Sequence, residues 1–232
     1  MTDQHLAGEV LLDLVQTGSI DELSFAELQE LFRSEKNPEI RSPGGMASID
    51  PRDSTPVLFN PGRARRPEDY SASGKRAAST AASPAPACVI CQGKTTGVID
   101  HRKLSGGHTF INKNLFPIVF PDEPETFGFH LLQWTSNHHT SDWHNMPVED
   151  LTVVMRRMAA VEKYFASRDD EKWYVSIIKN HGKLVGGSLA HGHQQIIAGH
   201  KKPRTVELHE RFEADHSTVF SQYLLDKLAG EH

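Results

Sequence analysis

The sequence predicts an α+β domain, a mostly antiparallel sheet with flanking helices, preceded by a short helical N-terminal appendage. Three observations predict it. Two runs rich in aromatic and aliphatic residues, TFINKNLFPIVF (109–120) and FGFHLLQWT (127–135), flank a PDEPE turn and read as a hairpin. Apolar residues at helical intervals then mark PVEDLTVVMRRMAAVEKYF (147–165) as a helix. Two more strand-like runs and a helical C-terminus complete the order strand, strand, helix, strand, strand, helix, which suits helices packed on an antiparallel sheet.

The elements follow in chain order. Residues 5–16, HLAGEVLLDLVQ, carry apolar residues at helical spacing. Ser24 with Glu27 three residues on is the capping-box pattern, and FAELQELF follows it as a second helix. These two helices form the expected appendage, residues 1–40. Residues 41–56 carry Pro and Gly punctuation and read as loop. PVLFN (56–60) reads as a short strand leading into PGRARRP, and SASGKRAASTAASPAPA (71–87) as a linker or long surface loop. Residues 41–87 thus form an arginine-containing segment and linker, and 88–232 the compact domain. In the central helix Pro147 sits where a first turn accepts it, and Leu151, Val154, Met155, Met158 and Phe165 fall at helical intervals. WYVSIIKN (173–180) is strand-like, a Gly-rich turn follows, and AHGHQQIIAG (190–199) returns as another strand. Residues 207–228 close the chain as one or two helices.

Bulk properties narrow the function. The chain has 232 residues, enough for one substantial core. Its formal net charge of -5 argues against an electrostatic nucleic-acid binder. No apolar run approaches bilayer length, and MTDQHLAGEV lacks a basic start with an apolar core, so the expectation is a cytoplasmic protein without membrane association. Its only two cysteines, Cys88 and Cys91, are too few for a disulfide framework. Histidine is plentiful, at 14 residues.

The chemistry concentrates in GGSLAHGHQQIIAG (186–199). In a strand, His191, His193 and Gln195 alternate onto one face. Ser188 and the Gly186–Gly187 pair lie just upstream, where a tight turn offers N–H groups to an anion. A neutral imidazole is a good nucleophile toward phosphorus. The plain alternative for an HxH pair is one histidine as a ligand or surface residue and the other structural. Cys88-x-x-Cys91 supplies two thiolates to zinc or forms a redox pair, although no thioredoxin-like helix is evident. A tetrahedral site needs two further ligands, which His191 and one of His138, His139 or His144 offer; otherwise those histidines form a solvated cluster. In GRARRP (62–67), Arg63 or Arg66 suits bidentate phosphate binding, the alternative being a solvated basic surface.

Taken in order, Arg63-Ala-Arg-Arg66-Pro, Cys88-x-x-Cys91, Asn114-Leu-Phe116-Pro, His139, Asn180-x-Gly182 and Ser188-x-x-His191-x-His193-x-Gln195 resemble the N-terminal half of the galactose-1-phosphate uridylyltransferase family, within the histidine-triad superfamily. The resemblance covers roughly residues 55–225. It implies a histidine-triad-like catalytic domain and a nucleotidyltransferase of the EC 2.7.7 type. His193 would be the nucleophile that takes up a nucleoside monophosphate. Cys88, Cys91, His139 and His191 would hold a structural zinc ion. Gln195 and Ser188 would bind phosphate oxygens, with Asn180 and Gly182 nearby; Arg63 and Arg66 would approach the diphosphate, and Asn114 and Phe116 would line the nucleoside pocket. The sequence departs from the pattern at Gly192, where the family often has proline, and at Leu115, where it often has a charged residue. The family's second half, which supplies most sugar contacts, has no counterpart here, so galactose is not implied.

These residues suggest a substrate of the nucleoside-diphosphate class, an NDP-sugar or dinucleotide, from which His193 takes NMP and passes it to phosphate or a sugar phosphate. Gln195 stands where the superfamily's hydrolases carry a third histidine. Glutamine has no proton-transfer chemistry near neutral pH, which favours an already anionic acceptor over water. The alternatives are a histidine-triad nucleotide hydrolase and a zinc-stapled nucleotide-binding module without catalysis, the latter favoured by a buried His193 with no pocket beside it. The resembled enzymes work as dimers, so a homodimer is a further expectation.

Overall fold

The computed structural model describes residues 24–33, 46–65, 88, 90, 109–136, 138–168 and 172–230. The first expected helix (5–16) and the linker (71–87) lie outside them, as do Arg66 and Cys91. Helix α1 (Phe25–Arg33) opens the described chain, followed by strands β1 (Met46–Ile49) and β2 (Pro56–Phe59) and a 3-10 turn, Pro61–Arg65. Then come β3 (Phe110–Lys113), β4 (Gly128–Trp134), helix α2 (Val148–Ala166), β5 (Tyr174–Ile178), β6 (His193–Gly199), α3 (Arg204–His216) and α4 (Phe220–Gly230). The main sheet has the order β3-β4-β6-β5, every pair antiparallel, while β1 and β2 form a separate antiparallel pair. The expected α+β class with a mostly antiparallel sheet is thus what the structure shows.

Three expectations change in detail. Residues 41–56 include strand β1, because the apolar residues of MASI pair with PVLF across a turn, Ala47 opposite Leu58. The run 109–120 is extended only to Lys113; the remainder folds back over β4 as Asn114 N–H donates to His130 O (2.8 Å) and Ile118 N–H to His130 Nδ1 (2.9 Å). The strand expected to include His191 starts at His193.

Alternation along the two middle strands sorts their side chains between two faces. Cross-strand neighbours Leu131 and Ile196, and Phe129 and Ala198, belong to a core that also holds Val154, Met158, Val161 and Phe165 of α2. The opposite parity, Trp134 with His193, Leu132 with Gln195 and His130 with Ile197, faces the other way. The apolar parity therefore places α2 on one face and leaves the other for chemistry.

Helix α1 begins with a reciprocal capping box: Glu27 N–H donates to Ser24 Oγ (3.3 Å) and Ser24 N–H to Glu27 Oε2 (2.8 Å). Its apolar positions are Phe25, Leu28 and Phe32. Leu28 and Phe32 are fully buried in the main core, and the Phe25 ring meets Phe129 (5.3 Å between centroids) and Trp173 (5.6 Å). Residues 25–33 therefore belong to the core they were expected to flank. Since a buried Leu→Ala change costs about 2–5 kcal/mol, urea denaturation of Leu28→Ala is expected to show a loss in that range. A helix standing apart from the domain would show almost none.

Candidate active site

The polar face of the sheet carries two connected groups. The first lies around Gln195, at the centre of β6. Its Oε1 is 3.1 Å from His130 Nε2 and accepts from Arg63 Nη2 at 3.3 Å. Arg63 is placed by the 3-10 turn after β2: Asn60 Oδ1 accepts from Gly62 N–H (2.7 Å), Asn60 O accepts from Arg63 N–H (3.1 Å), and Asn60 Nδ2 donates to Pro117 O. Arg63 Nη1 in turn donates to Phe116 O at 2.6 Å. Asn114 Oδ1 accepts from Phe116 N–H at 2.9 Å, and Asn114 Nδ2 stands 3.2 Å from His130 Nε2. Arg63, Asn114, Phe116 and Gln195, four residues singled out from the sequence, thus meet around His130, which was not. Its sequence signal is a histidine inside the apolar run FGFHLLQWT, in the parity that avoids the core.

The second group lies at the start of β6. His193 Nδ1 is 2.9 Å from His191 O. A carbonyl only accepts, so Nδ1 carries the proton and the lone pair of the neutral ring is on Nε2. His191 Nε2 is 2.7 Å from Ser136 O, which by the same reasoning leaves the Nδ1 lone pair facing Cys88 Sγ at 3.8 Å. Burial pushes the His191 pKa down to about 4, against the raising effect of the Ser136 carbonyl, so its ring is neutral at neutral pH. One ligand atom from each of Cys88, His139 and His191 lies within 4.8 Å of the others. Tetrahedral zinc with ordinary Zn–S and Zn–N bonds separates its ligands by about 3.5 Å. The donors are a thiol and two imidazoles, one of them oriented by a backbone carbonyl, so the set fits a zinc ion. Of the three candidate histidines it is His139 that joins this cluster, while the His144 ring stands beside His181 (5.6 Å between centroids).

Behind His193 runs a buried polar chain. Gln133 Nε2 donates to Val154 O of α2 (3.1 Å), Gln194 Nε2 to Gln133 Oε1 (2.8 Å), and Thr135 Oγ1 to Gln194 Oε1 (3.0 Å). Lys179 Nζ donates to Thr135 Oγ1 (3.4 Å), to His193 O (3.5 Å) and to Asp142 Oδ1 (2.6 Å). Asp142 is 3% exposed, and its carboxylate packs against Gly192: a Cβ added there would lie 2.7 Å from Asp142 Cγ. This explains glycine at position 192. Burial raises the Asp142 pKa, but the Lys179 hydrogen bond, the Trp143 N–H and the Lys179 charge outweigh it, and the carboxyl titrates below its ordinary range.

Asn180 and Gly182 follow β5, and Ser188 lies on the return to β6. Gly187 N–H donates to Gly182 O (3.0 Å) and closes this loop. A Cβ at Gly187 would meet Gly182 O at 2.9 Å, so the closure requires glycine there. Among the described residues, no hydrogen bond joins the Asn180 or Ser188 side chain to His193 or Gln195. A cavity of about 270 Å³ opens on the Gln195 side of the sheet, lined by Leu58, Ile118, Ser176, Ile178 and Ile197 among others.

With the geometry established, comparison with known proteins places the chain. A structure of a uridylyltransferase matches with a TM-score of 0.53 at 18% identity, over 78% of this chain and 55% of that one. That likeness bears out the expected uridylyltransferase fold. A crystal structure of ADP-glucose phosphorylase from Arabidopsis thaliana with bound ADP-glucose matches at 19% identity over 75% of this chain and 56% of that one, with a TM-score of 0.47. In sequence, the curated ADP-glucose phosphorylase of Arabidopsis thaliana is 26% identical over 192 residues, 74% of this chain and 51% of that protein. The chain therefore spans about half the length of that relative. A family model described as the N-terminal domain of a domain of unknown function, DUF4931, matches residues 71–202, and the chain belongs to that family. No helix among the described residues is long and apolar enough to cross a membrane.

The Lys179–Asp142 pair makes a test of the site's support. Removing one partner of a buried ion pair costs about 3–5 kcal/mol, so Lys179→Met is expected to lose that much at neutral pH in denaturant titrations. Because the folded-state pKa of Asp142 is depressed, the pair's stabilisation is present above the unfolded carboxyl pKa and fades as pH falls through the folded value. The difference between wild type and variant should therefore shrink below about pH 4; a cost independent of pH would contradict it.

Proposed function

We propose that the protein transfers nucleotides from a nucleoside-diphosphate compound, an NDP-sugar or dinucleotide, through a covalent intermediate on His193. The observation that carries the reading is the His193 ring, whose Nδ1–H on His191 O (2.9 Å) sets the lone pair of the neutral ring on Nε2, one strand position of the same face from Gln195. The likeness to ADP-glucose phosphorylase supports an NDP-sugar, and ADP-glucose is the first compound to try.

In the first half-reaction, Nε2 attacks the α-phosphorus. The P–N bond forms as the P–O bond to the leaving phosphate breaks, and the leaving group departs with that electron pair as a phosphate anion. The ring gains positive charge, which the hydrogen bond from Nδ1–H to His191 O stabilises. In the second half, an oxygen of phosphate or of a sugar phosphate attacks the same phosphorus. The P–N bond breaks and the ring returns to its neutral form. Neither half needs a proton taken from water, which suits Gln195 in place of a third histidine.

Incubation with ADP-glucose in the absence of phosphate should give a protein mass increased by one AMP group, located on His193 and discharged by added phosphate. No adduct with any nucleotide donor, or an adduct that survives in His193→Ala, would overturn the reaction. A second reading has its own support: His193 is only 7% exposed, which favours a nucleotide-binding module without turnover. Nucleotide binding without an adduct would establish that reading.

The proposed metal is one structural zinc ion held by Cys88, Cys91, His139 and His191. When bound it would fix Cys88 and the His191 turn against each other, with no role in the chemical step. Elemental analysis should find about one zinc per chain, lost in His139→Ala together with thermal stability. A metal-free protein of unchanged stability would count against the site.

A further inference from the structure

We infer that His130 is a positioning residue for Gln195: its Nε2–H holds the Gln195 carbonyl, so that the amide NH2 is the group offered to the phosphate. The inference rests on the proposed place of Gln195 beside the reacting phosphorus. It assigns to β4 a residue that acts through Gln195, and it decides which end of the glutamine amide faces substrate.

The protonation of His130 follows from its surroundings. His130 is fully buried in the middle of β4. Ile118 N–H points at Nδ1 from 2.9 Å, and a backbone amide can only donate. Nδ1 therefore carries the lone pair, and the neutral ring bears its proton on Nε2. Gln195 Oε1 lies 3.1 Å and Asn114 Nδ2 3.2 Å from that nitrogen. The Asn114 amide is oriented independently, since its Oδ1 accepts from Phe116 N–H at 2.9 Å. Asn114 Nδ2 is thus a donor and cannot receive the His130 proton; of these two atoms Gln195 Oε1 is the one that accepts. Arg63 Nη2, another obligate donor, lies 3.3 Å from the same oxygen. Two donors converge on Oε1. Rotating the amide by half a turn would set its NH2 against both of them, at a half-buried position where opposed donors are disfavoured.

Among the described residues nothing accepts from Gln195 Nε2. It lies on the His193 face of the sheet, two residues along β6. Gln195 therefore presents N–H donors, which pair with anionic phosphoryl oxygens, and withholds the carbonyl, the end that orients an attacking water by accepting from it. The strand pair β4–β6 sets this preference before any substrate arrives.

Three measurements test it. Nitrogen NMR of 15N-histidine-labelled protein should show His130 with Nδ1 unprotonated and Nε2 protonated, the signal being assigned by its loss in His130→Gln. Glutamine places its amide near the Nε2 position and can still donate to Gln195; asparagine, one methylene shorter, cannot. Adduct formation with ADP-glucose should then stay near the wild-type rate in His130→Gln but fall about 10²-fold in His130→Asn and in Gln195→Glu, as for loss of one donor to a transition-state oxyanion. The His130→Asn/Gln195→Glu double variant should be no slower than Gln195→Glu alone. A protonated Nδ1, equal losses in the Gln and Asn variants, or additive losses would each overturn the inference, with thermal melts separating any failure to fold. If the wild type forms no adduct, the proposed reaction fails by itself. The tautomer, and the same pattern of variants in AMP affinity by calorimetry, still decide the role of His130.

Discussion

The structure depends on the position of β6 between two antiparallel neighbours. Hydrogen-bonded to β4 on one side and β5 on the other, it can neither twist freely nor slip by one residue. A one-residue slip would put Ile196 and Ala198 on the polar face and drive His193 and Gln195 against α2. The apolar parity of the strand thus enforces the register of the polar parity, and the placement of His193 is secured by side chains that never approach substrate.

Apolar burial alone does not orient a catalytic ring, and here a buried polar chain adds the orientation. From the Val154 carbonyl on α2, hydrogen bonds run through Gln133, Gln194 and Thr135 to Lys179 and Asp142, which border the His191–His193 turn. Burying so many polar groups is tolerable only because each donor meets an acceptor. Asp142 illustrates the balance. Taken alone it would be a costly buried charge, but with Lys179 and the Trp143 N–H it becomes a fixed wall against which only glycine fits at position 192. Glycine at position 192 is then a local adaptation to this wall.

Much of this was legible in the sequence, for physical reasons that differ between elements. The box Ser24–Glu27 is a short-range pattern in which two side chains satisfy each other's backbone groups, and the helix begins where it predicts. The long helix after Pro147 and the two hairpin strands carry periodicities of matching length. What the sequence concealed is contact at a distance. That Phe25, Leu28 and Phe32 complete the main core depends on the Phe129 and Trp173 rings, about 100 to 150 residues further on, and no local pattern records it. Strand β1 was hidden by Pro and Gly nearby, although the pairing of Met46 with Phe59 across the turn decides its conformation. At the site, the residue types His193, Gln195 and Arg63 stood out because their chemistry is distinctive. His130, Lys179 and Asp142 did not, because they act on other protein groups and their value lies wholly in geometry.

The same distinction sharpens the meaning of Gln195. From residue type alone, glutamine differs from histidine by lacking a titratable proton, an argument about what the side chain cannot do. The surroundings add what it must do. With Oε1 already engaged by Arg63 and facing His130, its remaining function is that of a fixed donor. A fixed donor favours the state in which negative charge on the phosphoryl oxygens is greatest, and it does so equally for either direction of transfer. It gives no comparable help to water, which must lose a proton as it attacks. On the proposed assignment, the choice between transfer and hydrolysis is therefore made two layers back from the phosphorus. It rests on a backbone N–H at Ile118 that fixes the protonation of one buried histidine.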